Sequence, residues 1–151
     1  MELKITRAKI YALNNALQSL DRVDNQTGEK KDKVSFSTNV TYALYKNLTK
    51  TKKAVEDYEK IRTAIVRKYL KEGETSLGQA EGEKATKEWD EFYNAEDTIE
   101  VFKVKFTDLQ VEKNKIQLSA LADLEPLIVA DDDLESQLYA EERKTTGEVA
   151  E

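Results

Sequence analysis

The stretch from Ser37 to Lys71 constrains this chain more than any other, because it reads as one long helix with an unusually regular apolar seam. Leu44, Leu48, Thr51, Val55, Tyr58, Arg62, Ile65 and Tyr69 follow one another at alternating steps of four and three, the spacing of a coiled-coil seam. Such a helix is a rod of roughly 52 Å, whereas a compact chain of this length has a radius of gyration of only about 15 Å. The rod is therefore expected to overhang its own domain. Leu44, Leu48, Val55, Tyr58, Ile65 and Tyr69 then become the seam for a partner, either another protein or a second copy of the chain. Arg62 stands where the seam expects an apolar residue, and a polar group at such a position sets register or oligomer state. The oligomer number stays open, because the apolar residues are mixed and the steps drift between heptads.

Charge is distributed in blocks. Residues 131–151 hold eight acidic and two basic residues, so this tail accounts for the whole net charge of -6, and the rest of the chain is neutral. Within that neutral body, residues 44–71 carry nine basic and three acidic residues, while residues 72–100 carry two basic and ten acidic. Oppositely charged neighbours of this kind are expected to fold against each other as an antiparallel pair. The competing reading makes Lys46, Lys50, Lys53, Lys60, Arg67, Lys68 and Lys71 a strip for a polyanion. A pI near 5.0 and the adjacent acidic segment argue against nucleic acid as the ligand.

A length of 151 residues suits one domain with a modest core. The reading is a single helix-rich domain over 1–130, with a mobile loop at 21–35, a hinge at 72–83, and an acidic flexible tail at 131–151. Charged residues reach 36%, a share typical of long solvent-exposed helices, and twelve aromatic residues argue for a packed core. There is no cysteine and no histidine. That removes disulfides, thiol nucleophiles, Ser-His-Asp triads and the common structural zinc sites. No basic leader with an apolar run opens the chain, and no window of eighteen apolar residues occurs, so a soluble protein with no membrane partner is expected.

Leu3 and Ile5 alternate with charged residues as a short strand over 2–6 would, and Thr6 can cap the helix that follows. Ile10, Leu13, Leu17 and Leu20 give that helix a narrow apolar face. Ser37 or Thr38 supplies the next N-cap, and the long helix is expected to end near Gly73. Gly73, Gly78 and Gly82 mark the hinge; P-loop spacing is absent there. A further helix over 84–94 carries Trp89, Phe92 and Tyr93, which are expected in the core rather than as a base-stacking platform. From Thr98 to Phe106 the apolar residues alternate as in a strand, with 115–118 as its expected hairpin partner. Ser119 is the expected cap of a short helical turn whose Leu121, Leu124, Leu127 and Ile128 bury one side, with Pro126 limiting its length. The fold class that follows is α+β and predominantly helical: one long helix with a coiled-coil-like seam, two shorter helices, a small antiparallel sheet and the acidic tail.

Chemistry is harder to find. Glu88, Glu91 and Glu96, or Asp90 and Asp97, are carboxylates of the kind that do acid-base work, yet any acidic helix offers such combinations. The run Asp131, Asp132, Asp133 lacks the register of a calcium loop. No enzyme, metal or cofactor is expected. A ligand site is the alternative: Tyr42, Tyr45, Lys46, Arg62 and Tyr69 mix aromatic faces with cations on the seam side of the long helix, the combination that clamps nucleotides, and Tyr45, Lys46 and Arg62 from neighbouring chains are the residues expected to enclose one.

Ala12-Leu13-Asn14-Asn15-Ala16-Leu17, then Tyr42-Ala43-Leu44-Tyr45-Lys46-Asn47-Leu48 leading to Tyr58-Glu59-Lys60-Ile61-Arg62, resemble in order and pattern a family of small, largely uncharacterised tailed-phage proteins. Val66-Arg67-Lys68-Tyr69 and Leu118-Ser119-Ala120-Leu121-Ala122-Asp123-Leu124-Glu125-Pro126-Leu127-Ile128 extend the resemblance, which spans roughly residues 8–128 through loose apolar patterns. The loop at 21–33 and the acidic tail look like additions. The resemblance implies a viral origin and a role in the cytoplasm of an infected bacterium, and it carries over no catalytic residue. The function expected on this basis is that of a non-enzymatic phage accessory protein that inhibits or redirects a host factor by binding it, a defence system being one candidate. Two alternatives stand beside it: a homo-oligomeric sponge for a host signalling nucleotide, and a virion or assembly component.

Overall fold

A computed structural model describes residues 1–20 and 35–129. The loop expected at 21–35, apart from Ser35, and the tail expected at 131–151 lie outside the described residues. Among the described residues the chain is α+β and mostly helical. Strand β1 (Glu2–Thr6) leads directly into helix α1 (Arg7–Ser19), with the Thr6 hydroxyl accepting from the Lys9 N–H as the N-cap. The long helix α2 (Thr38–Tyr69) is capped by Ser37, whose hydroxyl accepts from the Val40 N–H, and it stops at Leu70 rather than Gly73. A turn containing Gly73, at φ +85°, reverses the chain into helix α3 (Gln79–Tyr93). Positive φ is where glycine is favoured, and this one fits the turn after a helix end.

Helix α3 begins five residues earlier than the glycine pattern suggests, so the hinge expected over 72–83 shrinks to the turn before Gln79. Gly78 occupies the N-cap position, and Gly82 lies inside the helix with its N–H bonded to the Gly78 carbonyl. Glycine is common at an N-cap, so a residue that looks like a breaker is here a start signal.

Strand β2 (Glu96–Glu100) pairs antiparallel with β1 in the register Glu2 to Glu100 and Thr6 to Glu96. The strand expected over 98–106 is interrupted. After Glu100 the chain leaves the ladder, and β3 (Val104–Lys105) pairs in parallel with β4 (Ile128–Val129), which follows helix α4 (Leu118–Leu124) and a tight helical turn at Glu125–Leu127. Residues 115–118 therefore form no hairpin partner. Residues 111–115 are turns with Gln110 and Lys115 at φ 45° and 52°, and Gln117, not Ser119, occupies the N-cap of α4.

The layout is a spine with two helices along one side. Near-neighbour pairs run Asn14 to Thr51 and Tyr11 to Tyr58 for α1, then Arg62 to Trp89 and Lys71 to Glu81 for α3. Both helices are thus antiparallel to α2: α1 covers its first half and α3 its second, meeting near Tyr58. Buried residues recur along α2 from Val40 through Leu44, Asn47, Thr51 and Tyr58 to Ile65. The inner face is covered over nearly its whole length, so the expected overhang is absent.

Two buried asparagines do the work of strand neighbours. Asn47, fully enclosed on α2, donates its Nδ2 to the Phe102 carbonyl at 2.7 Å and accepts from the Phe102 N–H at 2.7 Å. The side-chain amide substitutes for a neighbouring peptide where β2 has ended and β3 has not begun. Asn114 repeats the device on Ser35, accepting from its N–H at 2.8 Å and donating to its carbonyl at 3.1 Å, with a further bond to the Leu109 carbonyl. Around these, Ile10, Leu13, Val101, Leu109, Leu124 and Leu127 are the most deeply buried apolar side chains.

Candidate binding face

Helix α2 separates the residues of interest onto two faces. The seam lies inward. Leu44, Tyr58 and Ile65 are buried, and Leu48, Val55 and Tyr69 are half-buried, all against elements of the same chain. Leu44, Leu48 and Tyr58 belong to the main core or pack on it, and Ile65 lines a cleft of about 280 Å³ together with Leu77, Ala85 and Trp89 of the α3 side. Partnering of the seam is therefore satisfied within one chain, and an outside partner reaches it only by displacing α1 or α3. Tyr69 donates its hydroxyl to Glu88 at 2.7 Å, and Lys68 approaches the same carboxylate at 3.1 Å. These two hydrogen bonds hold the Glu88 carboxyl below its ordinary pKa, and the same bonds to Glu88 raise Lys68 and Tyr69. With Lys71 to Glu81 they realise the expected pairing of the basic and acidic segments.

At the meeting point of α1, α2 and α3 sits an aromatic cluster. The Tyr11 ring lies 5.4 to 6.2 Å from those of Tyr58, Trp89 and Tyr93, and Phe92 packs on both Tyr58 and Trp89. The cluster packs against the core through buried Tyr58, while Tyr11, Trp89, Phe92 and Tyr93 are half-buried. Arg7 enters it with its guanidinium 4.0 Å from the Phe92 ring centre, donates to the Phe92 carbonyl at 3.0 Å, and lies 3.5 Å from Asp97. Tyr58 donates to the same Asp97 oxygen at 2.8 Å. Burial raises the Tyr58 pKa, and its bond to Asp97 adds to this. Burial pushes the Asp97 carboxyl up, but the hydrogen bonds from Tyr58 and the Thr98 N–H, with Arg7 beside them, outweigh it and leave the carboxyl below its ordinary value. Tyr11 is pushed up to about 12, chiefly by burial and then by Glu59. A phenol so raised stays protonated at neutral pH and is no base. The constellation ties the β1–α1 junction to α2, α3 and β2.

The three residues expected to enclose a nucleotide do not meet within one chain. Tyr45 and Lys46 are separated from Arg62 by 17 and 16 residues along α2, or ~25 Å at the helical rise. Arg62 stacks 5.6 Å from the Trp89 ring centre and pairs with Glu59 at 3.7 Å. Tyr45 points to solvent, 62% exposed, one turn from Tyr42, 57% exposed, whose ring lies 5.5 Å from the Lys46 ammonium.

What remains is the outer face of α2. Tyr42, Tyr45, Thr49, Lys53, Lys60 and Arg67 recur at steps of three, four and seven on the side away from the seam. All are exposed. Lys52, Lys53 and Arg67 have no ion pair among the described residues, whereas Lys50, Lys60, Lys68 and Lys71 are engaged with Glu100, Asp57, Glu88 and Glu81. The sequence reading takes the apolar seam as the contact surface and puts Tyr42 and Tyr45 on its side, whereas both stand exposed on the opposite face. The available signal was two tyrosines three residues apart on the hydrophilic side. Among the described residues there is no cluster of acidic residues able to hold a metal ion, and no helix long and apolar enough to cross a membrane. No family model, curated protein or solved structure matches this chain.

Proposed function

We propose that this protein acts by binding, as a phage accessory protein that occupies a bacterial host factor, and that the contact is the outer face of α2. The observation that carries the reading is the division of labour on that helix. Every seam position packs within the chain, while two tyrosines and several lysines opposite are left to solvent. Tyrosine beside lysine or arginine suits protein recognition, since the ring supplies rigid area at low entropic cost and the cations steer an acidic surface. The resemblance to tailed-phage proteins gives the partner's setting, the cytoplasm of an infected bacterium. The separation of Tyr45 from Arg62 tells against a nucleotide clamp made within one chain.

The test is site-specific photocrosslinking in host cells. A benzophenone side chain placed at Tyr45, Thr49 or Lys53 is expected to trap one common host protein, and the same group at Lys87, exposed on the side of α3 away from buried Ala85, is expected to trap none. Equal trapping from both helices, or none from α2, overturns the assignment of the face.

A further inference from the structure

We propose that the outer edge of β1 pairs with β1 of a second copy of this chain, antiparallel about a twofold axis at Leu3, so that two chains share one four-stranded sheet. The two edges of the β1–β2 sheet differ. Beside β2 runs α2, whose Lys50 and Tyr58 reach Glu100 and Asp97. Ile99 and Val101 are accordingly buried, at 7% and 1% exposure. Leu3, directly opposite Ile99, and Ile5 are only half-buried, so β1 is the outer strand. Its bonds to β2 run through odd-numbered residues: Met1 exchanges both bonds with Val101, and the Arg7 N–H donates to the Ala95 carbonyl. Bonded and unbonded positions alternate in an antiparallel pair. The N–H and C=O groups of Glu2 and Lys4 therefore point away from β2, and they have no hydrogen-bond partner among the described residues. A row of this kind is a template for another strand.

One register makes this edge complementary to itself. With Leu3 opposite Leu3 of the second copy, each Glu2 faces a Lys4 and each Met1 faces an Ile5. Successive side chains alternate between faces, so Met1, Leu3 and Ile5 form an apolar row on one face while the acid–base pairs lie on the other. Sliding by the two residues that keep the bonding parity sets Lys4 against Lys4 or Glu2 against Glu2, and like charges directly opposite are destabilising. Glu2 is in need of a cation. Within one chain it stands opposite Glu100, which is matched by Lys50, while Glu2 has no ion pair among the described residues. A lysine on an edge strand ordinarily discourages pairing, but here the twofold brings Glu2 of the second copy to it. Met1, 75% exposed in the single chain, gains cover in the same step. The contact is small and belongs to the weak class below about 1,200 Å², so association is expected to follow concentration.

The inference involves no residue of the outer face of α2, so it stands apart from the proposed function and is tested on the purified full-length chain alone. Sedimentation equilibrium is expected to show a mass that rises from one chain toward two as concentration is raised about a hundredfold. Lys4→Glu sets an acid against Glu2, and Glu2→Lys sets a base against Lys4. Each variant is expected to stay a single chain with its circular dichroism unchanged. An equimolar mixture of the two is expected to associate, because every facing pair is then opposite in sign, and this rescue separates lost pairing from lost folding. The chain has no cysteine, so Leu3→Cys introduces one thiol per chain. Its Cα is expected about 4.5 Å from that of the second copy, within reach of a disulfide on mild oxidation. Ile5→Cys, about 13 Å from its counterpart, is expected to form none. A single chain at every concentration, association indifferent to Lys4→Glu, or linkage through Ile5→Cys in place of Leu3→Cys overturns the proposal.

Discussion

Replacing Asn47 with alanine removes two hydrogen bonds of 2.7 Å at once, and both belong to the backbone of one residue, Phe102. The side chain is fully enclosed, so water cannot take its place without opening the contact between α2 and the chain after β2. Leaving a buried donor or acceptor unsatisfied costs about 1–3 kcal/mol each. The pair therefore sets an expectation of about 2–5 kcal/mol after partial relaxation. That is a large part of the stability of a domain of this size. Urea unfolding followed by circular dichroism measures it, with Asn94→Ala as the control. Asn94 is exposed and among the described residues its side chain bonds to the Asp90 carbonyl alone, so its loss is expected to stay within about 0.5 kcal/mol.

Asn47→Asp sharpens the test. An ionised carboxylate still accepts from the Phe102 N–H but faces the Phe102 carbonyl with a charge, whereas the protonated acid donates to it. Burial raises the folded pKa of such a group above the unfolded value of about 3.9. The stability it contributes is then fully present below that unfolded value and lost as pH rises through the folded one. The variant is expected to gain on wild type as pH falls. A cost under about 1 kcal/mol for Asn47→Ala, or no pH dependence for Asn47→Asp, refutes the role of Asn47 as a substitute peptide.

Asp97 has the opposite sign: its carboxyl is held below the ordinary value, so the stability it adds is present above the unfolded pKa of about 3.9 and lost as pH falls through the folded one. Its side chain is 38% exposed, so solvent screening limits the effect to about 1 kcal/mol, and the gap between wild type and Asp97→Asn is expected near neutrality and closes in acid. Ile65→Ala is expected to cost about 2–4 kcal/mol in urea unfolding, because it empties the contact between α2 and α3. Leu48→Asp is expected to lower the melting temperature without changing the sedimentation behaviour of the folded fraction, since its seam is filled from within. Tyr42→Ala and Tyr45→Ala are expected to leave stability within about 0.5 kcal/mol of wild type.

Local features were legible in the sequence. The alternation of Leu3 and Ile5, the caps at Thr6 and Ser37, and the apolar rhythm of α2 each follow from spacing within one element, and each occupies its expected place. The opposed charge blocks also translated into contacts, because two segments joined by a short turn have little choice but to lie antiparallel. What was not legible depends on distance along the chain. Nothing near Glu2 announces that its strand partner is Glu100, and nothing near Val104 announces Ile128. The seam reads as a contact surface for a partner or a second copy, and spacing cannot say whether its cover comes from another chain or, as here, from α1 and α3. Asn47 was invisible for a related reason: an amide on an apolar stripe has meaning only once the backbone it pairs with is known. The segment before 115–118 was legible as a polar crossing, but the form of its turns was not, because Gln110 and Lys115, not glycines, adopt the left-handed backbone there.

The central claim is that α2 spends its apolar face on its own chain and keeps its tyrosine and lysine face for a partner. The most direct measurement is the native mass of the tagged protein recovered gently from host cells, taken for wild type and for Tyr42→Ala/Tyr45→Ala/Lys53→Glu. The account predicts a stable excess mass matching one host protein on the wild type, and the bare folded chain for the variant. A host protein retained by the variant, or a wild type that carries only further copies of itself, contradicts it.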